Sequence, residues 1–502
     1  MANPDGYGII RHPDKFFIGG QWTRPSSEAM IDVIAPATET VFLSVAEAME
    51  ADVNRAVAAA REAFDNGPWP RMTHAERAGH MRALSAKLTE RAEDIAQAWP
   101  NEMGVTLEVA RGTAGFLPSI YKYYADLAET FPFIERHPAM DGGVGLLVRE
   151  PVGVVGMIIP WNAAPFLLSY KLAPALLAGC TVVIKPSPEA PVAAYILAEI
   201  AEAIRLPPGV INVVTADRKA AEALVHNPGI DKISFTGSSA VGRHIASICG
   251  ERLARYTLEL GGKSPALLLD DYDIQTAAES ISQSTQVMSG QVCAALTRVI
   301  VGEDRHDDFV EALSASFQKI RVGDPFDAQT DMGPLAMARQ RDRVESFVAK
   351  GKEEGAQLAT GGRRPAHLNR GFYFEPTVFG RVDNRSTIGR EEIFGPVICV
   401  IPARDEEEMI RIANDSVFGL NASVFTNDSA RAYAVSRKLL SGGVGHNGFR
   451  ADPTIGFGGF KQSGVGREGG IDGLLPYLES KAVILDHDPG PLPGELAIPS
   501  KN

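Results

Sequence analysis

The chain has 502 residues, 45% of them hydrophobic and 22% charged, with a formal net charge of −13. At roughly 150 residues per domain this length predicts two to four lobes, and the composition excludes disorder, collagen-like repeats and coiled coil as whole-chain descriptions. The acidic balance argues against a general nucleic-acid surface, and the four cysteines, Cys180, Cys249, Cys293 and Cys399, include no CxxC pair for a metal or redox site.

The opening residues, MANPDGYGIIRHPDKFFIGGQW, lack a basic region followed by a long apolar core, so no secretory signal is expected. The longest apolar runs, such as 152–161, are about half the roughly 20 residues that a membrane-spanning helix needs. A cytoplasmic protein with reduced thiols and no membrane partner is expected. Residues 51–66 place apolar groups at helical spacing, with Glu50 and Asp52 at the start. Residues 74–99 and 106–130 read as longer amphipathic helices, broken at 101–104.

Between 150 and 260 short β-branched runs alternate with helical ones. Strands are expected at 152–159, 181–184, 210–214, 232–235 and 256–260. Helices are expected at 166–177, with a kink at Pro174, and at 192–204, 218–226 and 240–248. This rhythm predicts a parallel sheet covered by helices. Ligands of such sheets sit at the carboxyl ends of the strands, which singles out Trp161, Asn162, Lys185, Gly237, Ser238 and Gly261. From 262 to about 460, helices (272–289, 307–319, 335–355, 405–415, 428–439) mix with strands (298–302, 396–402, 422–425), predicting a second α/β domain. The glycine-rich stretch 456–470 follows. The proline-rich ending, 486–502, reads as an arm over a partner or a disordered tail.

Several motifs fail on inspection. There is no HExxH among the ten histidines and no GxSxG, and Gly262-Lys263-Ser264 lacks the earlier glycine of a P-loop, since position 257 is Thr257. No GxGxxG closes the first strand. The substitute, Gly237 to Gly242, either aims backbone N–H groups at a phosphate or is a helix start needing small residues.

Five islands occur in order: Pro160-Trp161-Asn162, Leu258-Glu259-Leu260-Gly261-Gly262-Lys263, Gly290-Gln291-Val292-Cys293, Glu391-Glu392-Ile393-Phe394-Gly395-Pro396 and Gly458-Gly459-Phe460-Lys461-Gln462-Ser463-Gly464. Together they resemble the aldehyde dehydrogenase superfamily, over nearly the whole chain from Phe17 to Tyr477. Cys293 lies 34 residues after Glu259, as in the non-phosphorylating, CoA-independent members. The resemblance implies a Rossmann-like parallel-sheet cofactor domain of 1–128 and 152–260, and a second α/β catalytic domain of 261–460. It also implies a small β oligomerisation element, 129–151 with 475–502, joining a homodimer or homotetramer. NAD is the implied cofactor, with NADP possible; no metal is implied.

By the same resemblance Cys293 is the nucleophile, acting as a thiolate. The other three cysteines have apolar neighbours and read as core. The Asn162 amide and the Cys293 backbone N–H would face the oxyanion. Glu259, at a strand end where burial raises a carboxyl, would be the general base. Glu468 and Lys171 match positions that relay its proton, or else are solvated charges. Lys185 matches the lysine on the adenosine ribose, Ser238 and Trp161 match pyrophosphate positions, and Glu392 matches the carboxylate on the nicotinamide ribose, with Phe394 beside it. Members strict for NAD often carry Glu where this chain has Pro188, with Glu189 next, so some NADP use is expected. Ala163, Leu167, Tyr170, Val292, Phe449 and Phe457 are expected to wall an apolar substrate tunnel, to which His446 and Arg450 could add polarity. That wall favours a small-molecule aldehyde that is aromatic, terpenoid or medium-chain, over betaine aldehyde or a charged semialdehyde. CoA-acylating or phosphorylating chemistry is opposed by Glu259, which activates water. A non-catalytic protein of the same fold is opposed by Cys293, Glu259 and Asn162 occurring together.

Overall fold

A computed structural model describes residues 8–140, 142–492 and 495. Its first sheet has five central parallel strands, in the spatial order Arg255–Glu259, Lys232–Thr236, Val154–Ile158, Thr181–Lys185 and Ile211–Val213. Helices cover both faces, and every residue of Val154–Ile158, Thr181–Lys185 and Lys232–Thr236 is buried. Burial on both faces is why Val154–Ile158 and the Val-Val-Ile centre of Thr181–Lys185 read as continuous apolar runs, whereas Lys232–Thr236 alternates polar and apolar residues. The chain enters at Val154–Ile158, moves outward through Thr181–Lys185 to Ile211–Val213, then crosses to the other side at Lys232–Thr236. A crevice opens at the carboxyl ends where the direction reverses. Trp161 and Asn162 lie on one side of it, Gly237 and Ser238 on the other. Phe16–Ile18 with Gln21–Thr23 and the short Gly464–Val465 flank the sheet as antiparallel strands.

The helix Ala164–Ala178 buries every residue except Phe166 and runs on through Pro174. A helix that is apolar all round is one enclosed on all sides. The single helix expected over 74–99 is in fact two, His74–Glu90 and Ala92–Met103. The joint is Arg91, whose guanidinium pairs with Asp94 and, at 2.7 Å, with the buried Glu199. Periodicity cannot report a pull from 108 residues away. The break expected at 101–104 falls at 104–106 and opens at Gly104, where φ is +85°.

Glu102 is 1% exposed and accepts the Val192 N–H at 2.8 Å, at the start of the helix Val192–Ala203. Burial pushes its carboxyl up to about 8, from an ordinary 4.5. Between those values the folded chain keeps a proton that the unfolded chain has lost, so this group makes stability fall as pH rises. Glu102→Gln keeps the acceptor and removes the penalty. It is expected to stabilise the protein by up to roughly 3 kcal/mol at pH 7 and to be neutral near pH 4. Melting curves of both proteins at the two pH values check this.

The second sheet has seven strands, in the order Gln357–Thr360, Thr377–Gly380, Val397–Ala403, Leu296–Gly302, Ser264–Leu268, Asn421–Phe425 and Gly443–His446. All neighbours are parallel except the first pair. Only three of these strands were expected. The others are short, and Gly443–His446 is half glycine, a poor strand signal. The helices expected at 335–355 and 428–439 are shorter, Ala338–Glu353 and Ser429–Ser436. Residues 260–263 alone join Glu259, the last residue of a first-sheet strand, to Ser264, the first of a second-sheet strand. That short link sets the carboxyl end of one sheet against the second.

A third, antiparallel sheet joins Ile134–Pro138 to Val144–Pro151 and that strand to Leu478–Leu485. Of the ending 486–502, residues 493–494 and 496–502 lie outside the described residues. Asp488 and Glu495 both pair with Arg136 of the third sheet. Among the described residues no helix is long and apolar enough to cross a membrane.

Candidate active site

Cys293 lies between the helix Ile274–Gln286 and the strand Leu296–Gly302. The helix expected to reach 289 stops at Gln286, because Met288, Ser289 and Gly290 turn left-handed, with φ of 50°, 53° and 71°. Left-handed backbone at two non-glycine residues is strained and needs support from its surroundings. Ser289 Oγ donates to Gly333 O at 2.8 Å, and Gln291 Oε1 accepts the Ala336 N–H at 3.0 Å. The turn presents Cys293 to a cavity of about 500 Å³. Cys293 is partly exposed, whereas Cys180, Cys249 and Cys399 are buried.

Ala163, Leu167, Tyr170, Val292, Phe449 and Phe457 all line this cavity. Trp99, Phe116, Phe166 and Met288 line it too, and among the described residues no Asp, Glu, Lys, Arg or His does. His446 and Arg450 lie outside this lining; His446 Nε2 is 2.9 Å from Thr426 O, and Arg450 Nε is 3.4 Å from His446 O.

Asn162 is buried and lines the same cavity. Its Nδ2 donates to Gln291 O at 3.0 Å, and Trp99 Nε1 donates to its backbone oxygen at 3.1 Å. A carboxamide nitrogen carries two donors, so one remains for a ligand. Burial, followed by the charges of Glu392 and Glu259, pushes the Cys293 thiol up to about 12. The backbone N–H groups of Ala294 and Cys293 pull the other way. The resting thiol therefore keeps its proton at neutral pH, and a base must take it before attack.

Glu259 is 3% exposed, and neither carboxylate oxygen has a hydrogen-bond partner among the described residues. Burial, and next the charge of Glu468, hold its carboxyl well above the ordinary range. Lys171 and Glu468 are not solvated charges: they form an ion pair, 0% and 2% exposed. Glu468 is placed by paired backbone hydrogen bonds with Phe457, at 2.6 and 2.8 Å. Gly458 lets that loop approach, since a Cβ there would lie 2.6 Å from Glu259 Oε1.

A second set of residues gathers at the carboxyl ends of the first sheet. Lys185 is buried, its Nζ donates to Ala216 O at 3.2 Å, and burial pushes its ammonium down to about 8. The Thr236 hydroxyl is buried and has no hydrogen-bond partner among the described residues. Beyond Gly237, Ser238 caps the helix Ser239–Glu251 by accepting the Val241 N–H at 3.4 Å. Trp161 meets Phe394 edge-on, with ring centroids 5.4 Å apart. Glu392 Oε1 accepts the Gly262 N–H at 3.0 Å, and burial pushes its carboxyl up to about 7. A Cβ at Gly261 would strike that carboxylate. A lysine with spare donors, an orphan hydroxyl, a helix start and a carboxylate suit the ribose hydroxyls and pyrophosphate of a dinucleotide.

The sequence profile described as "Aldehyde dehydrogenase family" matches residues 22–483. The chain belongs to the aldehyde dehydrogenase family. This aldehyde dehydrogenase is 42% identical over 470 residues to a geranial dehydrogenase of Castellaniella defragrans, covering 93% of this chain and 98% of the relative. Its fold matches a Mycobacterium tuberculosis aldehyde dehydrogenase complexed with NAD+, at a TM-score of 0.92 and 44% identity over 94% and 98% of the two chains. It also matches a Pseudomonas syringae aldehyde dehydrogenase C mutant in complex with NAD+ and octanal, at 0.91 and 39% over 96% and 99%. Betaine aldehyde and aminoaldehyde dehydrogenases are further relatives, at 37% and 38% identity.

Sequence reasoning about this aldehyde dehydrogenase missed the supports of the site. Ser289 and Gln291 anchor the turn before Cys293, and Trp99 both lines the cavity and orients Asn162. Gln291 sat inside a quoted motif but read only as a neighbour of Cys293. Trp99 and Phe116 come from helices whose apolar period is the same whether a face meets core or cavity.

Proposed function

We infer that this aldehyde dehydrogenase oxidises hydrophobic aldehydes, aromatic, terpenoid or medium-chain, to carboxylic acids. The observation that carries the reading is a cavity of about 500 Å³ that Cys293 lines and that has no Asp, Glu, Lys, Arg or His in its wall among the described residues. A cationic or anionic substrate would lose its hydration there without a partner. The geranial- and octanal-linked relatives support the same class. The cofactor is NAD, with NADP tolerated.

Cys293 Sγ, its proton passed to bulk water, attacks the aldehyde carbon, and the carbonyl electrons move onto oxygen. Asn162 Nδ2 and the Cys293 backbone N–H hold that oxyanion; one such donor contributes about 3–4 kcal/mol in a dry site. Bound NAD supplies the hydride acceptor by which the adduct becomes a thioester. Glu259 then takes a proton from water as the water attacks the thioester carbon, releasing the acid and the Cys293 thiolate. The proton leaves through Glu468 and Lys171. Lys185, Gly237, Ser238 and Trp161 hold the cofactor's adenosine and pyrophosphate, and Glu392 and Phe394 its nicotinamide end. Cofactor binding falls to 1–128 with 152–260 and catalysis to 261–460. The enzyme works in the cytoplasm as a homodimer or homotetramer, joined through the third sheet, whose edge strand Leu478–Leu485 leaves Ile484 71% exposed.

A panel of octanal, geranial, benzaldehyde, betaine aldehyde and succinic semialdehyde, followed by NADH absorbance with and without CoA, tests the reading. The three uncharged aldehydes are expected to give kcat/KM at least tenfold above the charged ones, with free acid as product. A preference for betaine aldehyde or the semialdehyde, or turnover that requires CoA, overturns it.

A further inference from the structure

Glu189 follows Lys185 by four residues, on the loop leaving the strand Thr181–Lys185. Its charge acts on the Lys185 ammonium. A free carboxylate here would repel a phosphate on the adenosine ribose, but this one is engaged. Ser187 Oγ donates to Oε2 and Arg339 Nη2 donates to Oε1. Burial pushes the Glu189 carboxyl up, yet these two partners outweigh it and hold the carboxyl below its ordinary value. Pro188, between Ser187 and Glu189, carries no charge.

Arg339 is the second residue of the helix Ala338–Glu353 and remains 68% exposed while paired. The same first turns reach a second part of the site. Gln340 Nε2 donates to Phe394 O at 2.5 Å, and Arg343 Nη2 donates to Glu392 O at 2.5 Å. One helix start therefore borders both the loop after Lys185 and the segment carrying Glu392 and Phe394.

We propose that Arg339 selects the cofactor: it exchanges Glu189 for the 2′-phosphate of NADP, so that one site takes either dinucleotide. A planar guanidinium matches phosphate oxygens two at a time, and its open side is already in solvent. Ser187 keeps Glu189 after the exchange, so the half-buried carboxylate still has a hydrogen-bond partner. With NAD the pair stays closed and its charge is cancelled. The proposal rests on Lys185 marking the adenosine ribose.

Calorimetric titration of NAD and NADP into the wild-type enzyme and the variants Arg339→Gln, Arg339→Lys, Glu189→Gln and Lys185→Ala separates the possibilities. Arg339→Gln is expected to lower the ratio of NADP to NAD affinity about tenfold, Arg339→Lys to restore part of it, and Glu189→Gln to raise it severalfold. Adenosine 2′,5′-bisphosphate should lose affinity for Arg339→Gln while 5′-AMP does not. An unchanged ratio in Arg339→Gln, or a wild-type enzyme that binds no NADP, overturns the proposal. Lys185→Ala should weaken both dinucleotides alike; if it weakens neither, the placement of the ribose fails separately from the role of Arg339.

Discussion

Cys293→Ala is expected to lose aldehyde oxidation by roughly 10⁴-fold or more, the scale on which an enzyme loses its nucleophile, while binding NAD as the wild type does. The cavity offers no substitute. Ser284 lines it, but its hydroxyl is donated to Ile281 O at 2.9 Å and has no base beside it. The substitution removes one sulfur from a partly exposed loop residue, so the supports at Ser289 and Gln291 are untouched and the fold should hold. Stopped-flow absorbance with octanal checks the rate, and calorimetry with NAD checks the cofactor site. Turnover within tenfold of wild type would falsify the assignment of the nucleophile.

Glu259→Gln should separate the two halves of the reaction. The variant keeps the shape and loses the base, a change that costs about 10²–10⁴ in a base-assisted step. A burst of NADH near one equivalent per site is expected, then a rate lowered by that factor. A pH dependence accompanies it. Burial and Glu468 hold the Glu259 carboxyl well above the ordinary range, and the group accepts a proton only after losing its own. Thioester hydrolysis in the wild type should therefore rise with pH across a limb displaced upward from ordinary carboxylates. In Glu259→Gln that limb should flatten. A wild-type limb near pH 4, or one that persists in the variant, contradicts the role.

The first sheet is legible in the sequence because its central strands are covered on both faces, so Val154–Ile158 and the Val-Val-Ile centre of Thr181–Lys185 stand out as apolar runs. The residues just after them then mark the crevice by topology alone. The second sheet is less legible, because Ser264–Leu268 begins with Ser-Pro and Gly443–His446 alternates with glycine. Its neighbours hold these strands more than their own propensity does. The break at Arg91 needed Glu199, and the left-handed turn at Met288 and Ser289 needed Gly333 across the fold. Neither partner is local. In the site, the six tunnel residues named from sequence meet Cys293 around one cavity, but Trp99 and Phe116 could not be told from core. Lys171 and Glu468 lie 297 residues apart, and only the folded chain shows them as a buried pair beside Glu259.

The central claim is a covalent acyl intermediate on Cys293 that Glu259 releases. Intact-protein and peptide mass spectrometry of Glu259→Gln, quenched after mixing with octanal and NAD, tests it most directly. The account predicts that nearly every chain gains one octanoyl group in place of a hydrogen, and that the peptide carrying it contains Cys293. NADH formed with Cys293 unmodified, or an acyl group on another residue, would contradict it.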